Sequence, residues 1–155
     1  MKLHTLHSIQ KLPIPLDQAW DFLSNPANLS VITPPDMGFV IRSGADRKMY
    51  PGQIIHYWVS PFAGIKTQWV TEITHVQNQQ FFVDEQRFGP YKMWHHKHFL
   101  KAVDGGVEME DIIHYVIPFG FLGTVAHQLF IRKKLETIFE FRRLKLIELF
   151  GSFEK

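Results

Sequence analysis

No cysteine occurs in this chain. That absence excludes disulfide staples, thiolate metal centres and cysteine nucleophiles at once. Long uncharged runs are missing too, and nothing approaches the roughly 18 consecutive apolar residues that a membrane-spanning helix needs. The opening Met1 to Pro15 has no continuous apolar segment of the secretory kind, so a cytoplasmic location is expected. Charge of one sign is scarce: the net charge is +2, although the isoelectric point lies near 8.9. That is too little to argue for nucleic acid, and none is expected as a partner. Arg132-Lys133-Lys134 and Arg142-Arg143 scatter around a helix at about 100° per residue and form no stripe. Also missing are a GxSxG elbow, a Walker loop and a GxGxxG turn, which leaves the familiar nucleophile and nucleotide signatures without a carrier.

What is present is apolar bulk. The chain has 155 residues, 45% of them apolar, with 14 phenylalanines. That suffices for one sizeable core, and residues 1–155 read as a single domain with no linker or repeat. Residues 2–12 alternate and read as a strand that Pro13 and Pro15 end. Leu16 to Ser24 reads as a short helix with Asp17 at its positive end. Asn25-Pro26 has the form of an N-cap followed by proline, which predicts a second short helix to about Val31, stopped by Pro34-Pro35.

From there the period changes to two. Phe39–Arg42, Gln53–Ser60, Ile65–Val76, Gln80–Arg87, Tyr91–Val103 and Val107–Ile117 each read as strands. Their connections are short, so successive strands are antiparallel neighbours. Phe121 to Phe150 then carries a helical pattern, with Ile131, Leu135, Ile138, Phe139, Leu146 and Leu149 on one side. Nearly 30 residues at about 1.5 Å each give a helix of about 45 Å, which needs a large surface to lie on. A curved antiparallel sheet of about seven strands, wrapped around that helix and plugged by the two short ones, satisfies the order. Such a shell encloses an interior that side chains need not fill.

Phe88 to Phe99 is the segment richest in chemistry. Gly89-Pro90 turns into a strand with Trp94, His96 and His98 on one face. Asp104-Gly105 is a two-residue hairpin signal. With that turn, His98 faces Asp111, His96 faces Ile113 and Trp94 faces Tyr115. A carboxylate opposite an imidazole fixes its tautomer and raises its pKa. The pair serves either as the polar anchor of a cavity wall or as a structural pair satisfied within the sheet. A three-residue turn would instead set His96 against His114 and gather His96, His98 and His114, a metal-ligand pattern. His96 or His98 with Asp111 also has the makings of an acid–base pair. Arg142 lies on the apolar stripe of the last helix. Its cation either reaches inward, to a ligand carboxylate, Asp84, Glu85 or Asp111, or snorkels to water. Tyr57 and Trp69, on neighbouring strands, look inward with Ile55, Thr71 and Ile73. Ile117 to Val125 is apolar and contains glycine, as a portal lip, a transient membrane contact or a tight turn would.

Several of these motifs carry a family resemblance: PLDQAWDFLSNPANLSVITPP from Pro15, Trp69 to Ile73, Val83 to Gln86 before Gly89-Pro90, Trp94-x-His96-x-His98-Phe99, Asp111 to Tyr115, Pro118-Phe119-Gly120, and Ile138-Phe139 with Arg142. Across essentially its whole length the chain resembles the START-like superfamily, also called SRPBCC or Bet v 1-like, and within it the bacterial ligand-binding branch related to polyketide cyclases. The resemblance implies the helix-grip α+β fold. It does not imply one activity, because that fold hosts lipid carriers, receptors and cyclases alike.

The expectation is therefore a protein that binds a small, largely apolar or amphipathic molecule between sheet and helix. Its site would comprise Tyr57, Trp69, Trp94, His96, His98, Asp111, Tyr115, Phe139 and Arg142. No cofactor and no metal is assigned, and the oligomeric state is left open. A cyclase- or dehydratase-like enzyme using His96, His98 and Asp111 is the second reading, and an interaction protein with a filled core the third.

Overall fold

The computed structural model describes residues 2–60, 64–118, 120, 125 and 130–153. Strand β1 (Leu3–Leu12) is followed by helix α1 (Leu16–Leu23). Pro15 stands extended before α1, and the helix buries Ala19, Trp20 and Leu23. The Asn25 side chain accepts the Ala27 amide, and Pro26 opens a 3-10 helix over Pro26–Ser30. Pro34-Pro35 does not simply stop the chain. Pro35 starts a further 3-10 turn, Pro35–Met37, which Gly38 ends at φ 54°.

Six strands follow: β2 (Val40–Ser43), β3 (Gln53–Val59), β4 (Thr67–Gln77), β5 (Phe81–Phe88), β6 (Met93–Val103) and β7 (Gly106–Val116). With β1 they form a seven-stranded antiparallel sheet in the order β1-β7-β6-β5-β4-β3-β2. The sheet register shifts twice along β4, between Val70 and Thr71 and between Ile73 and His75. Such bulges bend a strand and increase its twist, which curves the sheet.

Helix α2 (Arg132–Phe150) is the C-terminal helix. Most of the preceding stretch, in which the sequence extends this helix back to Phe121, lies outside the described residues, as does most of the candidate lip Ile117 to Val125. Sheet and helix together make the helix-grip α+β arrangement.

The hairpin between β6 and β7 is the two-residue form. Val103 pairs with Gly106, and the register carries through His98↔Asp111, His96↔Ile113 and Trp94↔Tyr115. Gly105 turns at φ 78°, and a Cβ at Gly106 would collide with the Leu12 carbonyl. The turn before β6 is longer than the alternation suggests. Tyr91 belongs to it, with its amide and carbonyl both held by the Gln86 side chain at 3.1 and 2.6 Å.

Two apolar clusters fill the space beneath the sheet. One gathers Tyr57, Trp69, Tyr91, Trp94, Ile113 and Tyr115 with Ile131 and Leu135 of the helical tail. The other gathers Leu12, Trp20, Phe82, Leu100, Val107 and Met109 with Leu146. Strand β6 crosses from one to the other: Trp94 belongs to the first, Leu100 to the second, and His96 and His98 lie between. Helix α2 makes the same crossing from Leu135 to Leu146, with Arg142 between. Leu149 departs from the expected stripe and is 42% exposed, while Phe150 of the same turn packs against the second cluster.

Candidate functional site

The polar residues between the two clusters form one connected group. Alternation along β6 turns His96 and His98 inward, and both are buried. Their rings lie against each other with centroids 3.7 Å apart. Asp84 comes from β5, opposite His96, and Asp111 from β7, opposite His98. Each imidazole spans the gap between the two carboxylates. His98 Nε2 lies 2.7 Å from Asp84 Oδ2, and His98 Nδ1 lies 2.8 Å from Asp111 Oδ1. His96 Nε2 lies 3.1 Å from Asp111 Oδ1 and its Nδ1 3.7 Å from Asp84 Oδ2. The contact of His98 Nδ1 with Asp111 is a charge contact without the alignment of a hydrogen bond. Arg142 completes the group, with Nη2 3.6 Å from Asp111 Oδ1 and its guanidinium 5.9 Å from the Phe139 ring. Of the two readings of Arg142, the inward one holds: its side chain is 12% exposed.

The charges follow from position. Burial opposes ionisation of Asp111, but the Arg142 cation and the two imidazoles outweigh it and hold the carboxyl well below its usual range. Asp84 is likewise opposed by burial and is held below its usual range by His98, His96 and Arg142. Burial also works against a proton on His98, but the two carboxylates overcome it and raise its pKa. His96 gives way. Burial, then the neighbouring charge of His98, push it down to about 4 despite Asp111. The group therefore sets two carboxylates against the Arg142 guanidinium, and of its two imidazoles His98 takes a proton in preference to His96.

Beside this group is a pocket of about 180 Å³. Its wall includes Ile55, Tyr57, Trp69, Ile73, Tyr91, Trp94, Leu135, Ile138 and Phe139, and at one side Asp84, His96, His98 and Arg142. Seven of the residues named from sequence thus line it: Tyr57, Trp69, Trp94, His96, His98, Phe139 and Arg142. Asp111 and Tyr115 are placed differently and do not belong to its lining. Asp111 sits behind the imidazoles, and Tyr115 packs against Trp94 and Tyr91 at centroid distances of 6.0 and 5.9 Å. Inside the wall the Tyr57 hydroxyl is 3.1 Å from the Thr71 hydroxyl. Trp69 Nε1 and Arg142 Nε are buried and have no hydrogen-bond partner among the described residues.

The three-histidine arrangement does not form. His114 pairs with His95, with ring centroids 6.4 Å apart, on the opposite face from His96, because the turn has two residues and not three. Glu85 also faces outward and meets His95 at 2.7 Å, so it is no partner for Arg142. Asp84, which the sequence offers only as one of three carboxylates within reach of Arg142, is a full member of the cluster. Its signal was the period-two series from buried Phe82, which points Asp84 to the same side.

A seven-stranded antiparallel sheet gripping a long C-terminal helix defines the helix-grip class. The comparisons agree with that shape: the chain superposes on protein CV1439 from Chromobacterium violaceum with a TM-score of 0.71 at 14% identity, covering 96% of this chain and 99% of that one. Protein Ms6760 from Mycobacterium smegmatis gives 0.65 at 16% identity, over 96% and 98%. Ara h 8.0201 gives 0.63 at 14% identity, over 95% and 99%. The fold is Bet v 1-like. No family model and no curated protein matches the sequence.

Proposed function

We propose that the protein binds a small, compact, largely apolar molecule in the pocket between sheet and α2. The observation that carries this reading is an aromatic and aliphatic wall that meets a buried ionisable group at one side. Convergence of a few polar groups on an apolar concavity is the general form of a small-molecule site. Burial supplies affinity at about 25 cal/mol per Å² of apolar surface, and one or two hydrogen bonds supply selectivity. The free Nε donors of Trp69 and Arg142 suit a guest carrying an acceptor such as a carbonyl or carboxylate. Size narrows the class further. At about 180 Å³ the pocket is comparable with the roughly 150 Å³ cavity that holds one benzene ring. One or two rings match that space, and an extended lipid or polyketide chain matches it only if the walls move.

Native mass spectrometry of gently purified protein tests this. The expected result is an organic adduct that leaves on denaturation, with saturation transfer by NMR to single-ring or fused-ring carboxylates added at millimolar concentration. A clean mass together with no transfer to any such compound overturns it.

An enzyme reading has one specific observation in its favour. Environment drives the two adjacent imidazoles apart, lowering the pKa of His96 and raising that of His98. A neutral base beside an acid, both lining a pocket, is the division of labour that cyclisation or dehydration requires. It predicts that His98→Gln abolishes turnover of a bound guest while binding survives.

A further inference from the structure

We propose that Asp84, His96 and His98 form a binding site for one divalent transition-metal ion, with Asp111 orienting both imidazoles. One donor atom from each of the three residues lies within 4.8 Å of the others. Asp84 Oδ2 stands 2.7 Å from His98 Nε2 and 3.7 Å from His96 Nδ1. An ion about 2.1 Å from each donor spaces neighbouring donors about 3.0 to 3.4 Å apart. The observed separations bracket that range, so small side-chain rotations close the site.

The reverse side of the two rings is what distinguishes this group from an accidental pair of histidines. His96 Nε2 and His98 Nδ1 both turn to the same oxygen of Asp111, at 3.1 and 2.8 Å. A ligating histidine typically gives its other nitrogen to a carboxylate, which fixes the tautomer and aims the free nitrogen at the metal. Here one buried carboxylate is hydrogen-bonded to His96 and in charge contact with His98, and Arg142 in turn neighbours it. The arrangement therefore has ligands and their supports, drawn from β5, β6, β7 and α2. Asp84, His96 and His98 line the pocket and Asp111 does not, so the unfilled coordination positions face the pocket.

Two imidazoles and one carboxylate, with no thiolate in the chain, suit zinc, iron(II) or cobalt(II) better than the oxygen-preferring calcium or magnesium. Imidazole binds a metal through an unprotonated nitrogen, so any proton on His96 Nδ1 or His98 Nε2 leaves to solvent as the ion enters. With two carboxylates, Arg142 and a divalent ion the site then carries one positive charge, which an anionic ligand such as hydroxide or carboxylate cancels. The site differs from the three-histidine set considered from sequence, since His114 is on the other face. It shares the pocket of the proposed organic guest but does not rest on that reading, because its test contains no organic ligand.

Cobalt(II) chloride is the probe, added to chelator-stripped protein. The expected result is one ion bound per chain, with visible d–d absorption bands. Asp84→Asn and, independently, His96→Gln weaken binding at least tenfold while circular dichroism shows a folded chain. His114→Ala, on the outer face, leaves binding unchanged. The proposal is overturned by absent bands at millimolar cobalt in folded wild-type protein, by undiminished binding in both inner-face variants, or by loss of binding in His114→Ala.

Discussion

The two faces of strand β6 place the same chemistry in opposite surroundings. On the outer face His95 meets Glu85 at 2.7 Å with both side chains more than a quarter exposed. On the inner face His98 meets Asp84 at 2.7 Å with side chains 10% and 18% exposed. The distances are equal, and β5 and β6 supply both pairs. What differs is water. Outside, solvent screens the pair, and its net worth is about 0 to 1 kcal/mol. Inside, each charge depends on its neighbours, and the group is stable only when complete. The face of the strand, more than the type of residue, separates surface decoration from a candidate site.

The sharpest way to break this comparison is to remove one charge from the inner group. Asp111→Ala leaves His98 and Arg142 buried without their shared carboxylate, and a loss of about 3–5 kcal/mol is expected from urea denaturation. The pH dependence of stability comes next. His96 stays neutral down to about 4 in the folded chain, whereas the unfolded residue takes up its proton near 6.5, so stability falls as pH drops through that window. His98 has the opposite sign: its contribution is complete below 6.5 and fades as pH rises through its raised folded value. Thermal denaturation across pH therefore shows a maximum near 6.5. His98→Gln flattens its alkaline side. Tyr57→Phe, which removes the bond to Thr71, costs about 0.5–1.5 kcal/mol in the same urea assay. The smallest effect belongs to Glu85→Gln on the outer face, within about 1 kcal/mol of wild type. A loss there equal to that of Asp111→Ala would erase the distinction between the faces.

The legible parts of the molecule are those whose geometry is local. Asp104-Gly105 specifies a two-residue turn, and from it the pairing of His98 with Asp111 and Trp94 with Tyr115 follows by counting. The contact of Asp84 with the histidines does not follow. It depends on the register across Gly89-Pro90, where Tyr91 is drawn into the turn by Gln86, and no two-residue rule covers that loop. Arg142 was ambiguous for another reason. A long side chain on an apolar stripe reaches either way, and only the placement of Asp111 beneath α2 decides it. Whether a residue lines the pocket or stands behind the wall, as Asp111 and Tyr115 do, depends on the curvature of the sheet. The bulges of β4 contribute to that curvature, and no single position announces it.

The place of β1 in the sheet has a consequence for how the chain folds. Strands β3 to β7 are each neighbours of the strand before, and short connections close those pairings quickly. Among the described residues β1 pairs only with β7, and its contacts, such as His7 with Glu110, join positions 103 apart. Closing so long a loop is slow relative to the hairpins, so the first segment of the chain is the last to dock. The same strand forms one edge of the sheet. Amide exchange that is faster along Leu3 to Leu12 than along β6 is the mark of that order, written in time instead of space.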